Sequence, residues 1–109
     1  MPKRYEDLDT MARAIREIGQ ANGWELVNEE HWESTRKIPT VLALIHSEVS
    51  EALEAFRREN GGEFLEELAD VVIRVLDCAG GFTDDFTEIV CQKIAKNATR
   101  GYRHGGRKV

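Results

Sequence analysis

A chain of 109 residues has room for one domain, residues 1–109, around one modest core. Its formal net charge of −5 argues against non-specific nucleic-acid binding by the chain as a whole, although the sign is unevenly spread. Residues 25–33 and 48–70 are acidic, whereas Arg100, Arg103, Arg107 and Lys108 make the end basic. Cys78 and Cys91, the two cysteines, have neither a CxxC partner nor a thiol-activating motif, so buried, reduced thiols are expected. No apolar run follows Met1 to Tyr5, and none elsewhere approaches membrane-spanning length. The expectation is a soluble, cytoplasmic protein.

Four helical segments and no strand emerge along the chain. The first covers residues 5–21, with Leu8, Met11, Ile15 and Ile18 at helical spacing and Gly23 ending it. A long connection to Lys37 then carries Trp24, His31 and Trp32, and connections of that length are often functional. Pro39 marks entry into the second helix, residues 39–59, whose apolar arc is Val41, Leu42, Ile45, Val49, Ala52, Leu53 and Phe56. Asn60-Gly61-Gly62 predicts a stop and tight turn. The third helix, residues 63–79, turns Leu65, Leu68, Ala69, Val72, Val75 and Leu76 inward until Gly80-Gly81 breaks it. Thr83 is the expected N-cap of a fourth helix that runs to about residue 99. The pattern predicts an all-α, four-helix-bundle type subunit with a central helical hairpin.

Two acidic pairs carry the chemistry. Glu48-x-x-Glu51 and Glu67-x-x-Asp70 each place two carboxylates about one turn apart on the same side of a helix. Helices joined by a short turn can bring both pairs to one point. Like charges converge there only if a hard cation neutralises them, and oxygen ligands favour Mg²⁺, Mn²⁺ or Ca²⁺. The alternative is a solvated helix face, which suits Glu54, Glu59, Glu63 and Glu66. For the four named carboxylates, apolar neighbours such as Leu44, Ala55 and Val71 favour partial enclosure. Arg74 and Asp77 share the helical face of Glu67 and Asp70.

In the fourth helix the stripe of Phe86, Ile89 and Val90 continues through Lys93, Asn97 and Arg100. Cations near a helix C-terminus compensate its dipole, which accounts for Lys96. Lys93 and Asn97 are expected to point into the bundle, where they need partners. A phosphate beside a carboxylate-bound metal would supply them. His31 and Trp32 are weaker candidates for ligand contact, since such residues more often serve local hydrogen bonding and packing. Trp24 reads as packing.

Ile45-His-Ser-Glu48-Val-Ser-Glu51, followed by Glu67-Leu-Ala-Asp70-Val-Val, resembles the EExxE…ExxD signature of MazG-like all-α nucleoside triphosphate pyrophosphohydrolases. The ending from Lys93 through Lys96, Asn97 and Arg100 is also similar to short members of that family, and the resemblance spans residues 39–108. It implies hydrolysis of a nucleoside triphosphate to monophosphate and pyrophosphate. It also implies Mg²⁺ (Mn²⁺ as a substitute) on Glu48, Glu51, Glu67 and Asp70, phosphate contacts from Lys93 and Asn97, and a homodimer or homotetramer. The first Glu of EExxE is Ser47 here, which leaves the number of metals and the general base open. The substrate base is also open. Phosphoribosyl-ATP hydrolysis, or a helical regulator that binds metal or nucleotide without turnover, are the alternatives.

Overall fold

In the computed structural model of the protein, which describes residues 1–99, four α-helices and one 3₁₀ turn follow one another with no strand among the described residues. They are α1 (Leu8–Ala21), the 3₁₀ turn (Glu29–His31), α2 (Lys37–Arg57), α3 (Gly61–Gly80) and α4 (Phe86–Thr99). The all-α expectation is met. Arg100 and the rest of the basic tail lie outside the described residues. No helix among the described residues is long and apolar enough to cross a membrane.

The helix starts differ from the expected ones, each for a local hydrogen-bonding reason. α1 begins at Leu8 because Asp7 is extended and its carboxylate accepts the Thr10 N–H at 2.7 Å. α2 begins at Lys37, ahead of Pro39. Proline costs nothing in a first turn, where its missing N–H would have had no helical partner. The Ser34 hydroxyl accepts the Arg36 and Lys37 N–H groups there.

Between α2 and α3, Gly61 and Gly62 are not a turn but the first residues of α3. Glu59, with φ of 57°, takes the left-handed position instead. Asn60 caps α3 by accepting the Glu63 N–H at 3.1 Å, and its own amide donates to the Glu63 carboxylate.

α4 is capped from the other end of the chain. Thr83, the expected cap, only accepts the Asp85 N–H in a local turn. The Asp9 carboxylate accepts the Phe86 and Thr87 N–H groups at 2.7 and 3.1 Å. In return, the Thr87 hydroxyl accepts the Leu8 and Asp9 N–H groups at 3.0 and 3.2 Å. Each helix start thus satisfies amides that the other leaves without helical partners. Burial of Asp9 disfavours its charge, but the hydrogen bonds from Thr87 and Phe86 prevail and hold its pKa below the ordinary 3.8. A depressed carboxyl pKa stabilises the fold above the unfolded value and loses that contribution as pH falls through the folded one. Asp9→Ala is therefore expected to lower the melting temperature at neutral pH by several degrees. The gap between variant and wild type should narrow on acidification below pH 3.8, as followed by circular dichroism.

α2 packs along α3, α1 packs across α3, and α4 touches α1 only lightly. Within the described chain the buried apolar side chains are Ala12, Val27, Ala52, Ala55 and Leu76, of which three are alanine. Gly81 draws the connection between α1 and α2 onto the end of α3. Its carbonyl accepts the Glu29 N–H at 3.2 Å, and any side chain there would collide with the Val27 carbonyl. Larger apolar groups stay outside. Leu42, Val49, Leu53 and Phe56 form a stripe on α2, with Leu65, Leu68 and Val72 on α3 and Ile89 and Ile94 on α4.

α4 contributes no buried residue. Two expectations change accordingly. Cys91 is exposed rather than buried, while Cys78 is half-buried, and both are free. Lys93 and Asn97 are likewise exposed rather than directed inward, because little among the described residues packs against α4.

Candidate functional site

The hairpin does what the spacing of its acids requires. α2 presents Glu48 and α3 presents Glu67 and Asp70, and one oxygen from each lies within 4.8 Å of the others. That is close to the span of two oxygens on opposite sides of a cation that binds each at about 2.0–2.1 Å. Glu48 and Glu67 are half-buried and Asp70 is exposed. Glu51 stands outside this group of three, one turn further along α2 and exposed. It is still near enough for its charge to be felt at Glu67.

Glu67 registers the crowding. Partial burial, and then repulsion from Asp70, Glu48, Glu51 and Glu63, push its pKa above the ordinary 4.5. A raised carboxyl pKa means the folded protein binds a proton that the unfolded chain releases. The ionised cluster therefore destabilises the fold above the folded-state pKa of Glu67, and this cost disappears as pH falls below 4.5.

Arg74 relieves part of the repulsion. It follows Asp70 by one turn on α3, and its Nε donates to Glu48 Oε1 at 3.2 Å. Ser47, where the family pattern has a glutamate, turns away: its hydroxyl donates to the Leu44 carbonyl at 2.7 Å. Glu54 and Glu63 pair on the surface with Arg57 and Arg58, in keeping with a solvated face.

Beside the carboxylates opens a cavity of about 540 Å³. Ile15, Trp24, Leu44 and Ile73 give it apolar walls, while Glu25, Glu48, Asp70, Arg74 and Asp77 supply charge. Trp24 packs beside Gly19. Its N–H donates to the Gly19 carbonyl at 2.8 Å, and a Cβ at Gly19 would sit 2.7 Å from the Trp24 ring. Deeper along α3, Asp77 faces Arg16, whose Nη1 donates to the Asp77 carbonyl at 2.6 Å and lies 3.5 Å from its Oδ1.

The remaining sequence candidates lie elsewhere. His31 Nδ1 accepts the Asn28 N–H at 3.0 Å and completes the cap of the 3₁₀ turn, a local structural role. Trp32 is 70 % exposed and meets Phe82 edge-on, with ring centroids 6.0 Å apart. Neither lines the cavity. Lys93 and Asn97 are on α4, away from the hairpin acids of the same chain, and Arg100 falls outside the described residues.

The sequence pattern gives Trp24 a packing role only and assigns no site role to Arg74 and Asp77. The signal for the last two was available: both share a helical face with Asp70, at four and seven residues' spacing. Comparison with protein-family models, with curated proteins and with solved structures gives no match for this chain.

Proposed function

We propose that this protein is a Mg²⁺-dependent nucleoside triphosphate pyrophosphohydrolase, which releases the monophosphate and pyrophosphate and clears non-standard or excess nucleotides. The observation that carries the reading is the meeting of Glu48, Glu67 and Asp70 across the α2–α3 hairpin, with the cavity beside it. The resemblance of these acidic pairs to the MazG-like signature supplies the reaction class.

The donor set suits a hard divalent cation, being all carboxylate oxygen and mutually repulsive without one. Glu48, Glu67 and Asp70 would hold Mg²⁺, with Glu51 within reach. A Mg²⁺ held by these residues would supply charge neutralisation of the polyphosphate, polarisation of the α-phosphate and a lowered pKa for water. The protein's own groups do the rest. Glu51 accepts no hydrogen bond among the described residues and stands outside the group of three, so it takes the proton of the attacking water at a carboxylate oxygen. Arg74, the one cationic side chain on the cavity wall among the described residues, binds phosphate oxygens. The apolar walls exclude bulk water from the nucleoside.

The working unit in this reading is a homodimer or homotetramer. A second copy covers the apolar stripes of α2 and α3 and completes the helical bundle. Within such an assembly Lys93 and Asn97 can serve a neighbouring copy's phosphates.

Chromatography of a nucleoside triphosphate panel incubated with the protein and Mg²⁺, with phosphoribosyl-ATP included, tests the reaction. Monophosphate and pyrophosphate are the expected products. Orthophosphate as the first product would overturn the bond assignment, and phosphoribosyl-ATP as the sole substrate would replace the house-cleaning role.

A further inference from the structure

One face of α3 carries Asp70, Arg74 and Asp77 in successive turns. At about 1.5 Å of rise per residue, Asp77 lies roughly 10 Å along the axis from Asp70. That distance is comparable with the reach of a nucleotide from its α-phosphate to the far edge of its base. The cavity runs along this face with a volume of about 540 Å³, within the range of small-molecule sites. Trp24 forms an aromatic wall, with one side of its ring close to Gly19.

We infer that this cavity is the nucleoside pocket and that Asp77, at its far end, selects bases carrying an exocyclic amino group over those carrying a carbonyl at the same place. The inference rests on the nucleotide-hydrolase reading and names the substrate class within it. The charged groups around the pocket are acceptors apart from Arg74, and Arg74 is engaged with Glu48 at the phosphate end. Asp77 Oδ1 accepts a long hydrogen bond from Arg16 Nη1 at 3.5 Å, and Oδ2 accepts none among the described residues, which leaves Oδ2 to meet the base. An ionised carboxylate only accepts, so it pairs with the amine of cytosine or adenine. Opposite the carbonyl of uracil or thymine it would set acceptor against acceptor in a partly enclosed place. Such mismatches are disfavoured more strongly than a lost contact, because both groups have given up water. The base itself lies against Trp24, where stacking is indifferent to sequence.

The test measures binding, which stays informative whether or not any triphosphate turns over. dCMP and dUMP are titrated into the full chain with Mg²⁺ at mildly alkaline pH, by calorimetry and by tryptophan fluorescence. The wild type is expected to bind dCMP at least about tenfold more tightly than dUMP, a difference on the order of one buried hydrogen bond. In Asp77→Asn, whose amide both donates and accepts, the two affinities should come within about twofold. The chain has two tryptophans, so single replacements locate the base. dCMP should quench emission in Trp32→Phe and leave it unchanged in Trp24→Phe. Equal wild-type affinities, no binding of either nucleotide, or quenching that follows Trp32 would each overturn the inference. A preference that survives in Asp77→Asn would do so too. The wild-type ratio and the tryptophan that responds decide the matter even if Asp77→Asn fails to fold. Absence of triphosphate turnover alongside the expected dCMP preference would sink the hydrolase reading and leave the pocket assignment standing.

Discussion

Asp70→Asn is expected to abolish the proposed nucleotide hydrolysis while the helices stay intact. The loss should be at least 10²–10³-fold in kcat, on the order of that seen when one charge-stabilising group is removed from a preorganised site. The substitution keeps the shape of the side chain and removes one of three charges that share a small volume. Two further readouts separate loss of chemistry from damage to the fold. Isothermal calorimetry should show weaker Mg²⁺ binding. NMR titration should show the Glu67 carboxyl moving back toward the ordinary 4.5, since Asp70 is the largest of the charges that raise it. The melting temperature at neutral pH should rise, because a repulsion present only in the ionised cluster has been weakened. Below pH 4.5 variant and wild type should converge, as protonation then does what the substitution did. Wild-type turnover in Asp70→Asn would remove the four acids from the site altogether.

Phe56→Asp is expected to split the proposed homo-oligomer. Phe56 is 66 % exposed in the described chain and tilts against Phe64 at a ring separation of 6.4 Å, at the hairpin end of the α2 stripe. Burying a phenylalanine contributes about 1.5–3 kcal/mol, and a two-fold interface uses the residue twice. Removing it should therefore raise the dimer dissociation constant by about a hundredfold or more, before the cost of burying a new charge is added. Sedimentation velocity of variant and wild type at equal concentration reads this directly. Activity should fall with the assembly if, as proposed, each site draws on α4 of a neighbouring copy. An unchanged sedimentation coefficient would mean that the stripe is not the contact.

Legibility in the sequence followed the range of the interactions. The helices on the 3.6-residue period, and the pairing of Glu48 with Glu67 and Asp70, depend on spacing within a helix and on one short connection. Spacing therefore foretold them. The helix starts depended on hydrogen bonds accepted by Asp7, Ser34 and Asn60, and these moved each boundary by two or three residues. Asp9 could not be foreseen as the cap of α4, because nothing local distinguishes it from any acid in a first turn. Trp24 was read as packing, which is correct for its contact with Gly19. Its other face, turned to the cavity, depends on where α2 and α3 pass. Lys93 and Asn97 were assigned an inward direction from periodicity alone. Periodicity names a face of a helix without saying which molecule covers it.

The exchanged caps of α1 and α4 also set how the chain can open. Amides of Leu8, Asp9, Phe86 and Thr87 are held by two side chains across separations of 77–79 residues. Parting the two helices strips all four amides at once, so fraying at one terminus is felt at the other. Closing so long a loop carries an entropic cost that grows only slowly with its length, but it requires nearly the whole chain to be present. α4 therefore gains its start late in folding and surrenders it early in unfolding, as one cooperative unit with the beginning of α1. Among the described residues, the side-chain hydrogen bonds that tie α4 to α1 lie in its first turn. The rest of its length can adjust to a neighbouring copy without disturbing the hairpin that holds the acids.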